Sequence, residues 1–388
     1  MRIAIEATAA LSGGKVYLTN LLPQLAKISP QHEFIVFHTA DLDPSSLKIT
    51  HPNFVFCSVK LPASNERNWL LISLFKLCWR LFIFPIHLLR LRPDVVFSNT
   101  GFGTLWRPFG IKFVLALHNS VPFQPQLQKE ENSFLRRLRL MGLQRLIGLT
   151  LREGDGGIVF SEDLQKLVRI FHRKFLNLTV IRHGIDWGVE ERNAPIENSL
   201  LDNFGIAKPY LLYVSQLHRY KNVSRLLEAF ELMKCNGGAE VSLVLIGKPA
   251  DRAYEEEITN CIQRLKLQNS VHIVPGLKRD QLKSFYRSAT GFIYPSLIEN
   301  CPFSVLEAMA FGLPIAASQI NALHEMAGDA AIYFDPLNVN EMADAMERLV
   351  WDEALRGELS RKAIEQAAKF TWGKTARQTL QVFEQINS

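Results

Sequence analysis

Two glutamates, Glu299 and Glu307, are separated by seven residues in the stretch SLIENCPFSVLEAMAFGLPIAAS, Ser296 to Ser318. The run GFIYPS reads as a buried strand, ENCP as the turn leaving its carboxyl end, and FSVLEAMAFG as a helix with Pro302 near its first position and Gly312 as its stop. A helix start of that kind offers the backbone amides of Phe303, Ser304 and Val305 to an anion, phosphate above all. Glu299 comes just before those donors, and Glu307 falls about one turn into the helix. One carboxylate can then accept hydroxyl hydrogen bonds on the near side of a phosphate and the other on the far side. A sugar at one end and a ribose at the other would satisfy both. The plain alternative is two solvated helix carboxylates. An apolar strand before the pair and a proline-started helix between its members favour binding chemistry.

The rest of the chain must build a scaffold for that turn. With 388 residues, 47% of them hydrophobic, there is enough chain for about two or three domains with packed cores. Cys57, Cys78, Cys235, Cys261 and Cys301 are odd in number, scattered and free of any C-x-x-C pair, which argues against a disulfide framework or a structural zinc and for a reducing compartment. The opening MRIAIEATAALSGG has no basic region followed by an apolar one, so it reads as a first strand and predicts a cytoplasmic protein. The net charge of +6 is unevenly spread: residues 1 to 194 carry 24 Lys and Arg against 15 Asp and Glu, and the remainder 20 against 23. With no zinc-finger, RNA-binding or helix-turn-helix signature, nucleic acid is not an expected partner. A membrane surface or a phosphorylated substrate suits the basic half better.

Short apolar or β-branched runs alternate with helical patterns, the sequence form of βαβ units on a parallel sheet. RIAIEA, EFIVFH, FVFCSV, DVVFSN, KFVLALH, GIVFS and LTVIRHG are the strands expected in the first half; YLLYVS, VSLVLIG, VHIVPG, GFIYPS, PIAAS and AIYF are those of the second. Between them, Asp186 to Pro209 is polar and punctuated by Pro195, Gly205 and Pro209, and reads as a connector. The expected fold class is therefore α/β, two doubly wound Rossmann-like domains facing a cleft, with ligands bound beyond the carboxyl ends of the strands. Asn68 to Pro93 breaks the pattern: it is mostly apolar, with Lys76, Arg80, Arg90 and Arg92 inserted and aromatics at Trp69, Trp79 and Phe82. Charge and Pro85 interrupt it too often for a transmembrane span. It is either an amphipathic helix lying in a membrane interface or a core helix with snorkelling arginines. A second basic cluster, LRRLRLMGLQR, spans Leu135 to Arg145.

The run E-N-C-P-F-S-V-L-E-A-M-A-F-G-L-P, with YVSQLHRYKN upstream, resembles the retaining glycosyltransferases of family 4, which carry an E-x7-E motif on a GT-B fold. VIRHGID, LVLIGK, VPGLKRDQLKSFYRSATGFIYPS and FTWGKTARQTLQVF follow the family's order through the second half; in the first half only SGG and LHNSVPF match. The resemblance implies a first domain of residues 1–190 for the acceptor, a second of 191–370 for the nucleotide sugar, and a terminal helix, 371–388, crossing back to the first. It further implies that Glu299 binds donor-sugar hydroxyls near the reacting carbon, Glu307 the ribose, and Lys221 the diphosphate. His118 would contact the transferred sugar, and Gly13 and Gly14 would form a side-chain-free loop near the diphosphate or acceptor. A fixed cation and helix-start amides would stabilise the leaving diphosphate without a metal or cofactor.

Two departures stand out. Gln216 occupies the place of the family's usual Arg, with Arg219 as a replacement from another position. In the E-G-F-G turn of many members this chain has Glu299-Asn300-Cys301-Pro302, and Pro302 has no N–H, so sugar contacts would fall to Asn300, Cys301 or Phe303 amides. Asp41 to Asp43, D-L-D, resembles the metal-binding motif of a different glycosyltransferase fold but reads as a turn. Cys301, without a histidine partner in sequence, reads as packing. The expected activity is transfer of a sugar from a nucleotide-diphosphate sugar to a glycan or lipid-linked acceptor, with an anionic membrane surface as a further expected partner. A binding protein that has lost turnover and a nucleotide-sugar epimerase on the same fold are the alternatives. Glu299→Ala is expected to lower transfer and leave the fold intact.

Overall fold

The computed structural model describes all residues except 9–11, 62–68, 102, 105, 125–133, 153, 172–176, 194–197 and 238–239. Among them lie the thirteen strands read from the sequence, in two all-parallel sheets. The chain divides into two compact units, Met1–Gly184 with Thr371–Ser388, and Ile185–Phe370. The first crossing thus follows Gly184, not Glu190. Ile185 already belongs with the second unit, where its amide donates to the Phe370 carbonyl at 3.1 Å.

In the first unit the strands are β1 (Arg2–Ala7), β2 (Glu33–His38), β3 (Phe54–Ser58), β4 (Val95–Ser98), β5 (Lys112–Leu117), β6 (Gly156–Val159) and β7 (Leu178–Val180), ordered β3-β2-β1-β4-β5-β6-β7. Its helices are α1 (Ser12–Ile28), α2 (Trp69–Cys78), α3 (Phe84–Leu91), α4 (Phe134–Arg152) and α5 (Glu162–Phe171). Near-continuous burial along β1, β2, β4 and β5 is what a parallel sheet covered on both faces requires. Phe113 of β5 packs with Trp79, Phe84 and Leu88. Leu115 and Leu117 pack with Ile147 and Leu151 of α4. Alternate residues of a strand project to one face, so the turn Trp79–Ile83, α3 and α4 cover the same side of the sheet.

The unit is completed by the end of the chain: its last helix (Trp372–Asn387) brings Phe383 to Phe97 of β4, ring centroids 5.3 Å apart, and Trp372 to Tyr17 of α1 at 5.8 Å. Gly156 of β6 has no room for a Cβ against Ile386 of that helix.

The second unit begins with α6 (Val189–Asn193) and α7 (Asn198–Asn203), so the strandless connector read from the sequence holds two short helices. No apolar periodicity announces them, because each is too short to bury a stripe. The strands β8 (Tyr210–Val214), β9 (Ser242–Ile246), β10 (Val271–Val274), β11 (Gly291–Tyr294), β12 (Ile315–Ser318) and β13 (Ala331–Phe334) order as β10-β9-β8-β11-β12-β13. The helices are α8 (Val223–Cys235), α9 (Arg252–Arg264), α10 (Arg279–Ser288), α11 (Phe303–Ala310), α12 (Asn321–Ala327), α13 (Val339–Trp351) and α14 (Glu353–Ala367). The helix Trp372–Asn387 is α15.

Candidate functional site

β8 and β11 are neighbours in the sheet although about eighty residues of chain separate them. Both are parallel, so the loops leaving their carboxyl ends emerge side by side. The β8 loop turns through Arg219–Lys221, with Asn222 at φ 62°, and the β11 loop carries Glu299. The two loops are pinned together where the Leu297 amide donates to the Tyr220 carbonyl at 2.8 Å. This brings Lys221 Nζ to 2.5 Å from Glu299 Oε1, with both side chains only 8% exposed. Lys221 also donates to the Tyr294 hydroxyl at 3.0 Å, at the end of β11. Burial by itself would lower the Lys221 pKa; the Glu299 carboxylate outweighs it, and the ammonium is held well above its usual value. The sequence reading put these two residues at one ligand, and the structure makes them each other's partner.

Glu307 sits on α11. Its Oε2 accepts from the Tyr286 hydroxyl at 2.9 Å, and Tyr286 of α10 stacks on Phe311, 5.6 Å between centroids. Burial pushes the Glu307 carboxyl up to about 7, against the opposing pull of the Tyr286 hydrogen bond and Arg279. Pro302 is the residue before the helix, not its first, and its carbonyl accepts from the Val305 amide at 3.2 Å. That amide is therefore engaged and not offered to an anion as expected. Asn300 and Cys301 are buried in the turn, while Phe303 and Ser304 are half-buried. Gln216 is exposed. Arg219, expected to stand in for the missing arginine, pairs instead with Glu257 of α9 and lies 4.9 Å over the Tyr254 ring. Its guanidinium is committed to that helix and is half-exposed there.

Within the first unit, the carboxyl ends of β1, β4 and β5 gather a second set. Asn99 Nδ2 donates to the Gly14 carbonyl at 3.3 Å, which orients the amide so that its Oδ1 accepts from His118 Nε2 at 2.7 Å. His118 stacks on Phe160 at 4.4 Å, and burial lowers its pKa to about 3, so the ring is neutral. Gly13 and Gly14 lie in the first turn of α1 and not in a loop. At those strand ends sequence reasoning missed Glu6, 1% exposed. It accepts from Arg80 Nε at 3.3 Å, Thr100 Oγ1 at 3.0 Å and the Thr8 amide at 3.0 Å. Asp41 takes Lys76 at 3.4 Å, and Asp43 accepts from the Ser45 amide at 3.0 Å, so D-L-D is an ion-pair and turn element. A lone acid in an apolar strand was the available signal for Glu6.

A model of the family described as glycosyl transferases group 1 matches residues 203–370, the segment holding Lys221, Glu299 and Glu307. The second unit belongs to that family. The chain is 26% identical over 176 residues to the O-antigen chain mannosyltransferase B of Escherichia coli, covering 45% of each. It thus spans less than half the length of that curated relative. Sucrose-phosphate synthase from Thermosynechococcus elongatus superposes over 99% of this chain and 98% of its own with a TM-score of 0.76 at 19% identity. The Anabaena protein HepE, in complex with UDP and glucose, does so over 99% of each chain with a TM-score of 0.72 at 16% identity. At such identities the likeness is one of fold alone, the GT-B fold.

Proposed function

We propose that the chain transfers a sugar from a nucleotide-diphosphate sugar to a glycan or lipid-linked acceptor, with retention and without a metal, in the cytoplasm at the inner face of a membrane. The observation that carries this reading is the buried Lys221–Glu299 pair, held by loops from adjacent strands in the same unit as Glu307. As the glycosidic bond breaks, the leaving diphosphate gains negative charge, and an ammonium already fixed by Tyr294 and Glu299 can stabilise it without reorganising. Glu299 accepts from hydroxyls of the transferred sugar, and Glu307 from those of the ribose. The amides of Asn300, Cys301, Phe303 and Ser304 line the turn between them. His118, neutral and oriented through Asn99 and Gly14, presents an uncharged ring to the sugar. The leaving phosphate oxygen takes the acceptor proton on the face from which it departs, so no protein nucleophile is required.

Exposed Gln216 and the diversion of Arg219 to Glu257 favour a second reading, a nucleotide-sugar-binding protein of weak turnover. A thermal-shift panel of UDP-, GDP- and ADP-sugars finds the donor, since a ligand of the native state raises its stability. HepE's UDP and glucose support starting with a UDP-sugar. Transfer to an acceptor that Glu299→Gln abolishes supports the enzyme; a thermal shift without transfer supports the binding protein.

A further inference from the structure

We propose that the outer face of α2 and α3, with the outer residues of α4, inserts into the surface of an anionic lipid bilayer. A helix on the surface of a domain turns its apolar stripe inward and its charges outward. Here the inner side holds two cations beside its apolar residues Trp79, Phe84 and Leu88, and the outer side is apolar. Lys76 and Arg80 are buried and paired with Asp41 and Glu6. Leu74, Phe75, Phe82, Ile83, Ile86 and Leu89 are turned out, each between 47% and 59% exposed. No charged side chain is exposed from Leu74 to Leu89. Six large apolar residues half-exposed on one face amount to several hundred Å², on the order of the largest patches that monomeric proteins leave uncovered. The turn Trp79–Ile83 is an i→i+5 turn, and its extra residue sets Phe82 and Ile83 side by side on the outer face.

The occupant follows from charge and from layer. α4 covers the same side of the sheet and also turns apolar groups outward: Leu138 is 55% exposed and Leu149 49%. Neither the span from Arg67 to Pro93 nor that from Phe134 to Arg152 contains an Asp or Glu. Arg90, Arg92, Arg145 and Arg152 are exposed on these segments. Cations without anions around an apolar stripe match a surface of anionic headgroups over acyl chains. A second copy of the same face would set arginine against arginine. Among the described residues no helix is long and apolar enough to cross a membrane. The side chain of Trp69, also in this stretch, lies outside the described residues.

The test is co-sedimentation of the full chain with vesicles of phosphatidylcholine containing phosphatidylglycerol, and of phosphatidylcholine alone, at low and high salt. The expected result is binding to the anionic vesicles that weakens with salt but persists, because the apolar part is not screened. Phe82→Asp with Leu89→Asp, both exposed and so compatible with an unchanged Tm, should lower partitioning at least about tenfold. Arg90→Glu with Arg145→Glu should remove most of the salt dependence. Phe82→Trp should add emission that brominated lipid quenches. Absence of binding to anionic vesicles at low salt, binding indifferent to Phe82→Asp and Leu89→Asp, or no added quenching in Phe82→Trp would each overturn the proposal. Self-association abolished by the same double variant, without vesicle binding, would assign the face to a second copy. This face deepens the membrane location proposed above; no donor or acceptor enters these measurements, so their failure removes that location and leaves the sugar-transfer reading standing.

Discussion

Removing the Glu299 carboxylate does two things at once, which the sequence alone did not separate. Glu299→Ala takes away the proposed sugar contact and also strands the Lys221 ammonium in a buried site, a change that costs about 3–5 kcal/mol. Contrary to the expectation of an intact fold, calorimetry should find Glu299→Ala markedly less stable, while Glu299→Gln keeps the shape and a neutral acceptor and loses less. Transfer should fall in both. Lys221→Ala should weaken a nucleoside diphosphate roughly ten- to a hundredfold more than the nucleoside in titration calorimetry. Glu307 gives a pH signature. Its folded pKa, about 7, lies above the unfolded value of 4.5, so its contribution to stability is complete below pH 4.5 and is lost as pH rises through 7. Thermal melts from pH 4 to 8 should therefore fall more steeply for wild type than for Glu307→Gln, and parallel curves would refute the shift. These three residues were legible because their types and spacing sit at strand ends. That Glu299 and Lys221 pair was not, since the adjacency of β8 and β11 is a fact of sheet order and not of sequence.

The strands were legible one by one because each is a short apolar run bounded by turn residues, and the central ones are buried on both faces. The stretch from α2 to α3 was not, because its hydrophobic residues suit either a core or a membrane interface. What divides them is where Lys76 and Arg80 find carboxylates, and those carboxylates, Asp41 and Glu6, are distant in sequence. The Glu6 pKa is lowered even though burial opposes it, because Arg80 and the Thr8 and Thr100 hydroxyls favour the charged form. Arg80→Met should thus cost about 3–5 kcal/mol in urea unfolding, and adding Glu6→Gln should restore part of it. If the double variant is no more stable than Arg80→Met alone, the pair is not what anchors these helices.

Each unit carries its own sheet and core, but only the second is built from one continuous segment. The first borrows α15, whose Phe383 and Ile386 close over β4 and β6. A chain ending after Phe370 should keep a protected second unit and lose hydrogen-exchange protection in β4, β5 and β6, the strands α15 covers. On the ribosome the order of completion is then the reverse of the order of translation. The stretch that leaves first waits, with the face of β6 at Gly156 and the Tyr17 side of α1 uncovered, until α15 has been made, while the stretch that leaves second already holds all its own strands. During that interval the uncovered strands are the part of the nascent protein most exposed to chaperones and to misassociation.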